Sequence, residues 1–243
     1  MEAWGLTDVG NVRDQNQDAF RIVELGKDAL LAVVCDGMGG AKSGNVASRL
    51  ASEVFSEEVK RSFSAELTAE EAGRMLRGAA KLANVAVFEQ SQLSEDYTGM
   101  GTTLVAALVY PRATLVLNIG DSRAYLINAD GVHCITRDHS VVEMMVQRGE
   151  LTPEQAKTHP SKNLITRAVG TEASVFSDVF RVETVPEDCI LLCSDGLSNQ
   201  MADQEILFEV VHGARRDDCC RRLLEIAKNR GAPDNVTSVL IAL

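Results

Sequence analysis

Short apolar runs punctuate the chain near residues 2–9, 19–25, 29–35, 102–110, 113–119, 122–128, 132–136, 175–182, 188–193 and 236–243. Each is strand-sized and rich in Val, Ile and Leu. Several, such as ALLAVVC at 29–35, are too continuous to leave one face in water. Between AYLI and VHCIT, Asn128-Ala129-Asp130-Gly131 is a hairpin signal. Helical spacing is clearest in three segments. Over 44–59, Val46, Leu50 and Val54 recur beside Ala47, Ala51 and Phe55. Over 68–92, Thr68 and Glu71 form a capping box ahead of Ala72, Met75, Leu76, Ala79, Leu82 and Ala83. Over 217–230, Leu223, Leu224 and Ile226 precede Lys228 and Arg230, with Gly231 as a stop. Shorter helices are expected at 140–148 and 203–212, and the polar stretch 56–71 reads as a helix–helix connection. Strands cluster and long helices pair between them, without strict βαβα alternation. This predicts an α+β fold of antiparallel sheets covered by helix pairs.

Bulk properties narrow the classes. The 243 residues are 45% apolar, contain no Pro/Gly/Ser-rich linker and no long-period repeat, and are read as one domain, 1–243. The net charge of −11 argues against a nucleic-acid or anionic-membrane surface, which needs clustered Lys and Arg. No apolar run approaches the roughly 18 residues of a membrane span. MEAWGLTDVG has neither the basic start nor the apolar stretch of a signal peptide. The six cysteines form no CxxC pair and lie mostly within apolar runs (Cys35, Cys189, Cys193) or on a helix (Cys219, Cys220). They are read as reduced, buried thiols of a cytoplasmic monomer.

One feature of the apolar runs is chemical. LAVVC stops on Asp36 before Gly37; ILLCS stops on Asp195 before Gly196; Asp121 follows LVLNIG. Asp234 precedes Asn235 and the last strand, and Asp18 opens the strand AFRIV. Each sits where a buried strand meets a loop, so that side chains from several strands can converge. Asp130-Gly131 follows a short hairpin strand and serves as a control, an ordinary turn. Gathered carboxylates repel, and each costs several kcal/mol to desolvate. Divalent metal is the cheapest way to keep them ionised. All-oxygen ligation with no His or Cys pattern selects Mg²⁺ or Mn²⁺ over Zn²⁺. Gly37 would let a backbone carbonyl approach an ion, while Gly39 and Gly40 keep the rim open.

These residues match a known family. GNVRDQNQD (10–18), VVCDGMGG (33–40), MGTTLVAALV (100–109), NIGDSRAYL (118–126), TRDHS (136–140), HPSKNLITRAVG (159–170), LLCSDGL (191–197) and PDNVTSVLI (233–241) occur in family order. The chain resembles the metal-dependent Ser/Thr protein phosphatases, PPM or type 2C, in their compact bacterial form. The resemblance implies a four-layer αββα sandwich of two antiparallel sheets flanked by helix pairs, with a small flap at about 150–169 and a dinuclear Mn²⁺/Mg²⁺ site. It also implies residue roles. Asp36 bridges both ions, the Gly37 carbonyl holds one, and Asp195 and Asp234 hold the other. Asp18 sits with the metal set and orients water, while Asp121 with Asp195 supplies a looser third site. Two departures stand out: Gln17 replaces the family's Glu, so water ligation should fill in there, and Met38 replaces a histidine proposed as proton donor.

The implied reaction is hydrolysis of phosphoserine or phosphothreonine by direct in-line attack. Two ions roughly 3.5–4 Å apart lower the pKa of a bridging water towards 7, and no phosphoenzyme forms. Arg13 is the candidate phosphate clasp, since guanidinium offers a planar fork. The leaving oxygen takes a proton from metal-bound water, with His139 and His159 as side-chain alternatives. Thr152-Pro153 with Gln155 marks a helix start in the flap, which either shapes substrate choice or is a plain surface helix and loop. Expected partners are phosphoproteins and a Ser/Thr kinase whose signalling the enzyme opposes.

Other chemistries are not supported. No Cys is followed six residues on by Arg, and there is no Gly-x-Ser-x-Gly or Gly-Lys-Ser/Thr. The alternative reading is a catalytically inactive regulator of the same fold that binds phosphoproteins. A phosphatase tied to a sensor domain is not expected, since 243 residues leave no room for one.

Overall fold

The computed structural model describes residues 1–39, 43–213 and 215–243. Among them are eleven strands: β1 (Glu2–Asp8), β2 (Asp18–Gly26), β3 (Ala29–Met38), β4 (Gly101–Thr102), β5 (Leu104–Tyr110), β6 (Ala113–Ile119), β7 (Arg123–Asn128), β8 (Gly131–Cys134), β9 (Asp178–Val182), β10 (Cys189–Cys193) and β11 (Val236–Ala242). The helices are α1 (Gly44–Ser62), α2 (Ala69–Ser91), α3 (Val141–Gln147), α4 (Pro153–Thr158), α5 (Asp195–Ser198), α6 (Asp203–His212) and α7 (Cys219–Asn229). One sheet runs β1-β11-β10-β7-β8 and the other β2-β3-β5-β6-β9, with β4 attached to the end of β3. All neighbouring strands are antiparallel. No helix among the described residues is long and apolar enough to cross a membrane.

The continuous apolar runs have a simple cause. Successive side chains of a strand point to opposite faces, and here both faces are covered. Along β3, Leu31, Val33 and Cys35 pack with Ala47, Ala51 and Phe55 of α1 and Leu76 and Ala80 of α2. The alternate residues Leu30, Ala32 and Val34 face Ile190, Leu192, Val239 and Ile241 of the second sheet. That sheet's outer face, including Leu191 and Leu240, is covered by Ile206 of α6 and Leu223 and Leu224 of α7. Three apolar seams therefore separate four layers, α–β–β–α. Burying one Leu or Val side chain is worth about 1.5–3 kcal/mol, so the middles of the doubly covered strands β3, β5, β6, β10 and β11 hold no charge, and their carboxylates are left to the strand ends.

Differences from the sequence expectation are local. The polar stretch 56–71 is not all connection. α1 continues to Ser62, helped by Arg61, whose guanidinium donates to both carboxylate oxygens of Glu58. The expected strand 102–110 is broken at Thr103, for reasons that belong to the site below. β9 begins at Asp178 rather than 175. One turn of helix, α5, was not expected after β10. Cys134 is exposed on the edge strand β8, whereas the other five cysteines are buried. The capping boxes Thr68/Glu71 and Thr152/Gln155 are both formed.

Candidate active site

Asp18 and Asp36 are directly paired across β2 and β3, so their side chains stand on the same face of the sheet, as cross-strand partners do. The end of β3 is held rather than frayed. Thr103 Oγ1 accepts the Asp36 N–H (2.9 Å), Thr103 N–H donates to the Asp36 carbonyl (2.9 Å), and Thr102 Oγ1 donates to that carbonyl as well (2.8 Å). This is why the strand 102–110 is interrupted: residues 102 and 103 are spent on fastening Asp36. The Gly37 N–H donates to the Gln17 carbonyl (3.1 Å). A side chain on Gly37 would run into the carbonyls of Gly44 and Gln17, so its glycine is required by close packing.

The second sheet delivers the remaining acids to the same end. Asp195 opens α5 immediately after β10, and Asp234 precedes β11, its neighbour in the sheet. Asp121 follows β6 of the first sheet. A cleft of about 690 Å³ is lined by Asp36, Gly37, Asp121, Asp195 and Asp234, with Arg13, Met38 and Gly39 on its walls. Asp18 does not line it but lies buried beside Asp36, its Oδ2 accepting from Ser194 Oγ (2.8 Å) and Thr237 Oγ1 (2.6 Å). With the Thr237 proton committed to Asp18, Thr7 donates to Thr237 (2.7 Å), and Asn16 donates to Thr7 (2.9 Å). Asp18 Oδ1 is buried with no hydrogen-bond partner among the described residues.

The electrostatics follow from this crowding. Burial, less the hydrogen bonds from Thr237 and Ser194 and with added repulsion from Asp195 and Asp234, pushes Asp18 up to about 7. Asp36 is pushed well above the carboxylate range by burial and by Asp18, Asp195, Asp121 and Asp234. Asp121 is pushed up to about 7, mainly by burial and then by Asp195 and Asp138. Asp195 is raised by burial and by Asp234, with a hydrogen bond from Asp36 pulling the other way. Without a counter-ion this cluster cannot be fully ionised at neutral pH.

Divalent cations fit this donor set. The orphaned Asp18 Oδ1, the all-oxygen walls and the upward-shifted carboxylates call for a hard positive charge. As they stand, no three Asp, Glu, His or Cys side chains among the described residues are gathered tightly enough to hold an ion. Two of the carboxylates also accept side-chain hydrogen bonds: Arg13 Nη2 donates to Asp234 Oδ2 (2.8 Å) and Asn199 Nδ2 to Asp195 Oδ2 (3.0 Å).

Gln17 lines the cleft, its N–H donating to Asn235 Oδ1 (2.8 Å) and its carboxamide lying against Gly44. Gly40 lies outside the described residues. Asp130 stands apart on the β7–β8 hairpin. His139 is not in the cleft: its Nδ1 accepts the Gly120 N–H (3.1 Å), so Nε2 carries the proton facing Asp178 Oδ2 (3.1 Å). Burial lowers its pKa, and it serves to fasten the turn that carries Asp121. His159 ends α4, its Nδ1 accepting the Ser161 N–H (3.1 Å). Sequence reasoning missed Thr103, Ser194, Thr237 and Asn235, whose Nδ2 donates to the carbonyls of Val9 (2.8 Å) and Gln15 (3.0 Å) and holds the Arg13 loop in place. For Ser194, Asn235 and Thr237 the signal was adjacency, since they share short segments with Asp195 and Asp234; Thr103 has no aspartate in its own segment and carried no such signal.

Comparison with known proteins gives consistent results. A family profile described as Protein phosphatase 2C matches residues 11–238. The Serine/threonine phosphatase stp of Listeria innocua is 36% identical over 242 residues, covering 99% of this chain and 95% of its own. Protein phosphatase PhpP of Streptococcus pneumoniae is 34% identical over 243 residues, covering 100% of this chain and 98% of its own. The crystal structure of Serine/threonine phosphatase Stp1 from Staphylococcus aureus superimposes with a TM-score of 0.92 at 38% identity, covering 100% of this chain and 94% of that one.

Proposed function

Since the chain belongs to the protein phosphatase 2C family and is a serine/threonine phosphatase, we propose that it hydrolyses phosphoserine and phosphothreonine in proteins using Mn²⁺ or Mg²⁺ held in the carboxylate cleft. The observation that carries this reading is the convergence of Asp36 and Asp121 from one sheet with Asp195 and Asp234 from the other. Asp36, the Gly37 carbonyl, Asp195 and Asp234 would hold two ions, with Asp121 and Asp195 offering a weaker third place. Bound there, divalent cations supply the Lewis acidity that readies water for direct attack on phosphorus at neutral pH.

The chain's own residues do the rest. Asp18, fixed by Ser194 and Thr237, presents an unpartnered oxygen beside Asp36 and can orient water. Arg13 stands at the cleft beside Asp234, where its planar fork can take the substrate phosphate. Met38 has no proton to give, and neither His139, committed to Gly120 and Asp178, nor His159 lines the cleft, so the leaving seryl oxygen takes its proton from solvent in the cleft. In this reading residues 1–243 act as one catalytic domain with 150–169 as a flap, opposing a Ser/Thr kinase. The inactive phosphoprotein-binding alternative is not favoured, because a chain without turnover has no need for crowded carboxylates that repel.

A metal-titrated assay on phosphoserine, phosphothreonine and phosphotyrosine peptides and on para-nitrophenyl phosphate tests the proposal. The expected result is Mn²⁺-dependent turnover of the first two peptides and of the small ester, lost with chelator and little affected by thiol alkylation. Full activity after exhaustive EDTA would remove the metal reading.

A further inference from the structure

We propose that Val12 and Leu164 form an apolar rim at the mouth of the cleft that receives an apolar side chain adjacent to the phosphorylated serine or threonine. The substrate class is then a phosphopeptide with an apolar, non-acidic flank. This rests on the phosphatase reading above and adds a sequence preference to it.

Singly exposed apolar residues are common and ordinarily mean nothing. Three observations set these two apart. Val12 is 67% and Leu164 57% exposed, and both line the same cleft as Asp36, Asp195 and Asp234. Other exposed apolar residues, such as Phe208 and Val211 of α6, lie on no wall of that cleft.

Second, both side chains are carried on anchored backbone. Next to Val12, the Asn11 N–H donates to the Ala232 carbonyl (3.0 Å) and Asn11 Nδ2 to the Lys228 carbonyl (2.7 Å). The preceding Gly10 has φ +78°, and a side chain there would strike the Asp234 carbonyl. Leu164 N–H donates to the Ser161 carbonyl (3.1 Å), its own carbonyl accepts the Val141 N–H (2.9 Å), and Ile165 bridges to Ser140. The flap's return segment is thus fixed, with one leucine left facing the cleft. A ligand that covers such preset side chains loses little ordering entropy.

Third, the charge of the cleft selects the flank. Among the described residues its walls carry Asp14, Asp36, Asp121, Asp195 and Asp234 against the guanidinium of Arg13. Cations bound there would be matched by these carboxylates and the substrate phosphate, leaving no surplus for an acidic neighbour. Successive residues of an extended peptide advance about 3.3–3.6 Å, which keeps residues one or two along from the phosphate at the rim.

The test uses the full chain loaded with Mn²⁺ and phosphothreonine peptides that differ only in Leu, Ala or Glu at each position from two before to two after the phosphoresidue. Every kcat/KM is normalised to the same variant's turnover of para-nitrophenyl phosphate, which has no flanking residues. The wild type should prefer Leu over Ala about fivefold or more at one position at least, with Glu poorest. V12S/L164S should bring the Leu-to-Ala ratio to about one through KM, and L164I should keep it. A flat ratio in the wild type, a preference for Glu, or an unchanged ratio in V12S/L164S overturns the rim while para-nitrophenyl phosphate is still turned over. No turnover of any substrate would instead overturn the phosphatase reading, and the rim with it.

Discussion

The chain contains two Asp-Gly pairs at strand-to-loop positions in its middle and N-terminal parts, and they have opposite fates. Asp130 is exposed, its N–H donates to Asn128 Oδ1 (3.0 Å), and Gly131 takes φ +127° to close the β7–β8 hairpin. There the glycine is needed for its backbone angle. At Asp36-Gly37 no left-handed angle is involved; the glycine is needed because two carbonyls occupy the space of a side chain. Asp36 is held at both N–H and carbonyl by Thr103 and faces three other carboxylates across the cleft, whereas Asp130 faces water. The same dipeptide is a turn where the strand is at an edge and part of the acidic cleft wall where both faces of the strand are buried.

The strongest way to break this comparison is to neutralise both. Asp36→Asn and Asp195→Asn should each lower kcat at least about a thousandfold, several kcal/mol of transition-state stabilisation, while Asp130→Asn stays within about twofold; equal losses would mean the strand-end criterion selects nothing. Arg13→Ala is the next largest effect, a rise of about tenfold in KM for phosphopeptide with a smaller change in kcat, read from steady-state kinetics. Should kcat fall with KM unchanged, Arg13 acts on the chemical step and not as a phosphate clasp.

Stability offers a subtler contrast. Asp18 and Asp121 are pushed up to about 7 in the fold, against roughly 3.9 in an unfolded chain. Between these values the folded, metal-free protein holds protons that the unfolded chain has released. Its stability is therefore greatest below about pH 4 with respect to these groups and is lost as pH rises to about 7. Thermal melts of the metal-free protein should fall by a few degrees over that window, Mn²⁺ should flatten the slope, and Asp36→Asn should make it shallower. Asp130→Asn should leave it as it is, the smallest effect expected. A melt independent of pH would show that the acids do not share one environment.

Much of the architecture was legible because it depends on local periodicity. The apolar runs of β3 and β10 named themselves as doubly covered strands, and the capping boxes of α2 and α4 marked their starts to the residue. What misled was polarity without context. Arg61, beyond the helix predicted over 44–59, reads as a connection residue, yet it pairs with Glu58 on α1. The run 102–110 looked unbroken, and nothing local reveals that Thr103 turns its backbone and hydroxyl to Asp36. Among site residues, Asp36 and Asp195 were marked by the runs they end. What separates His139 from a proton donor is tertiary: its two nitrogens face the Gly120 N–H and Asp178.

The sequence alone determined which segments become strands and helices, and that several of the strands end in acid, because burial and spacing act over a few neighbouring residues. Only the tertiary structure decided that Asp18, Asp36, Asp121, Asp195 and Asp234 share one end of the sandwich while Asp130 does not, and that Val12 and Leu164 face them. Charge repulsion, desolvation and hydrogen bonding act through space over a few ångströms, and residues 18 and 234 become neighbours only when the two sheets have packed.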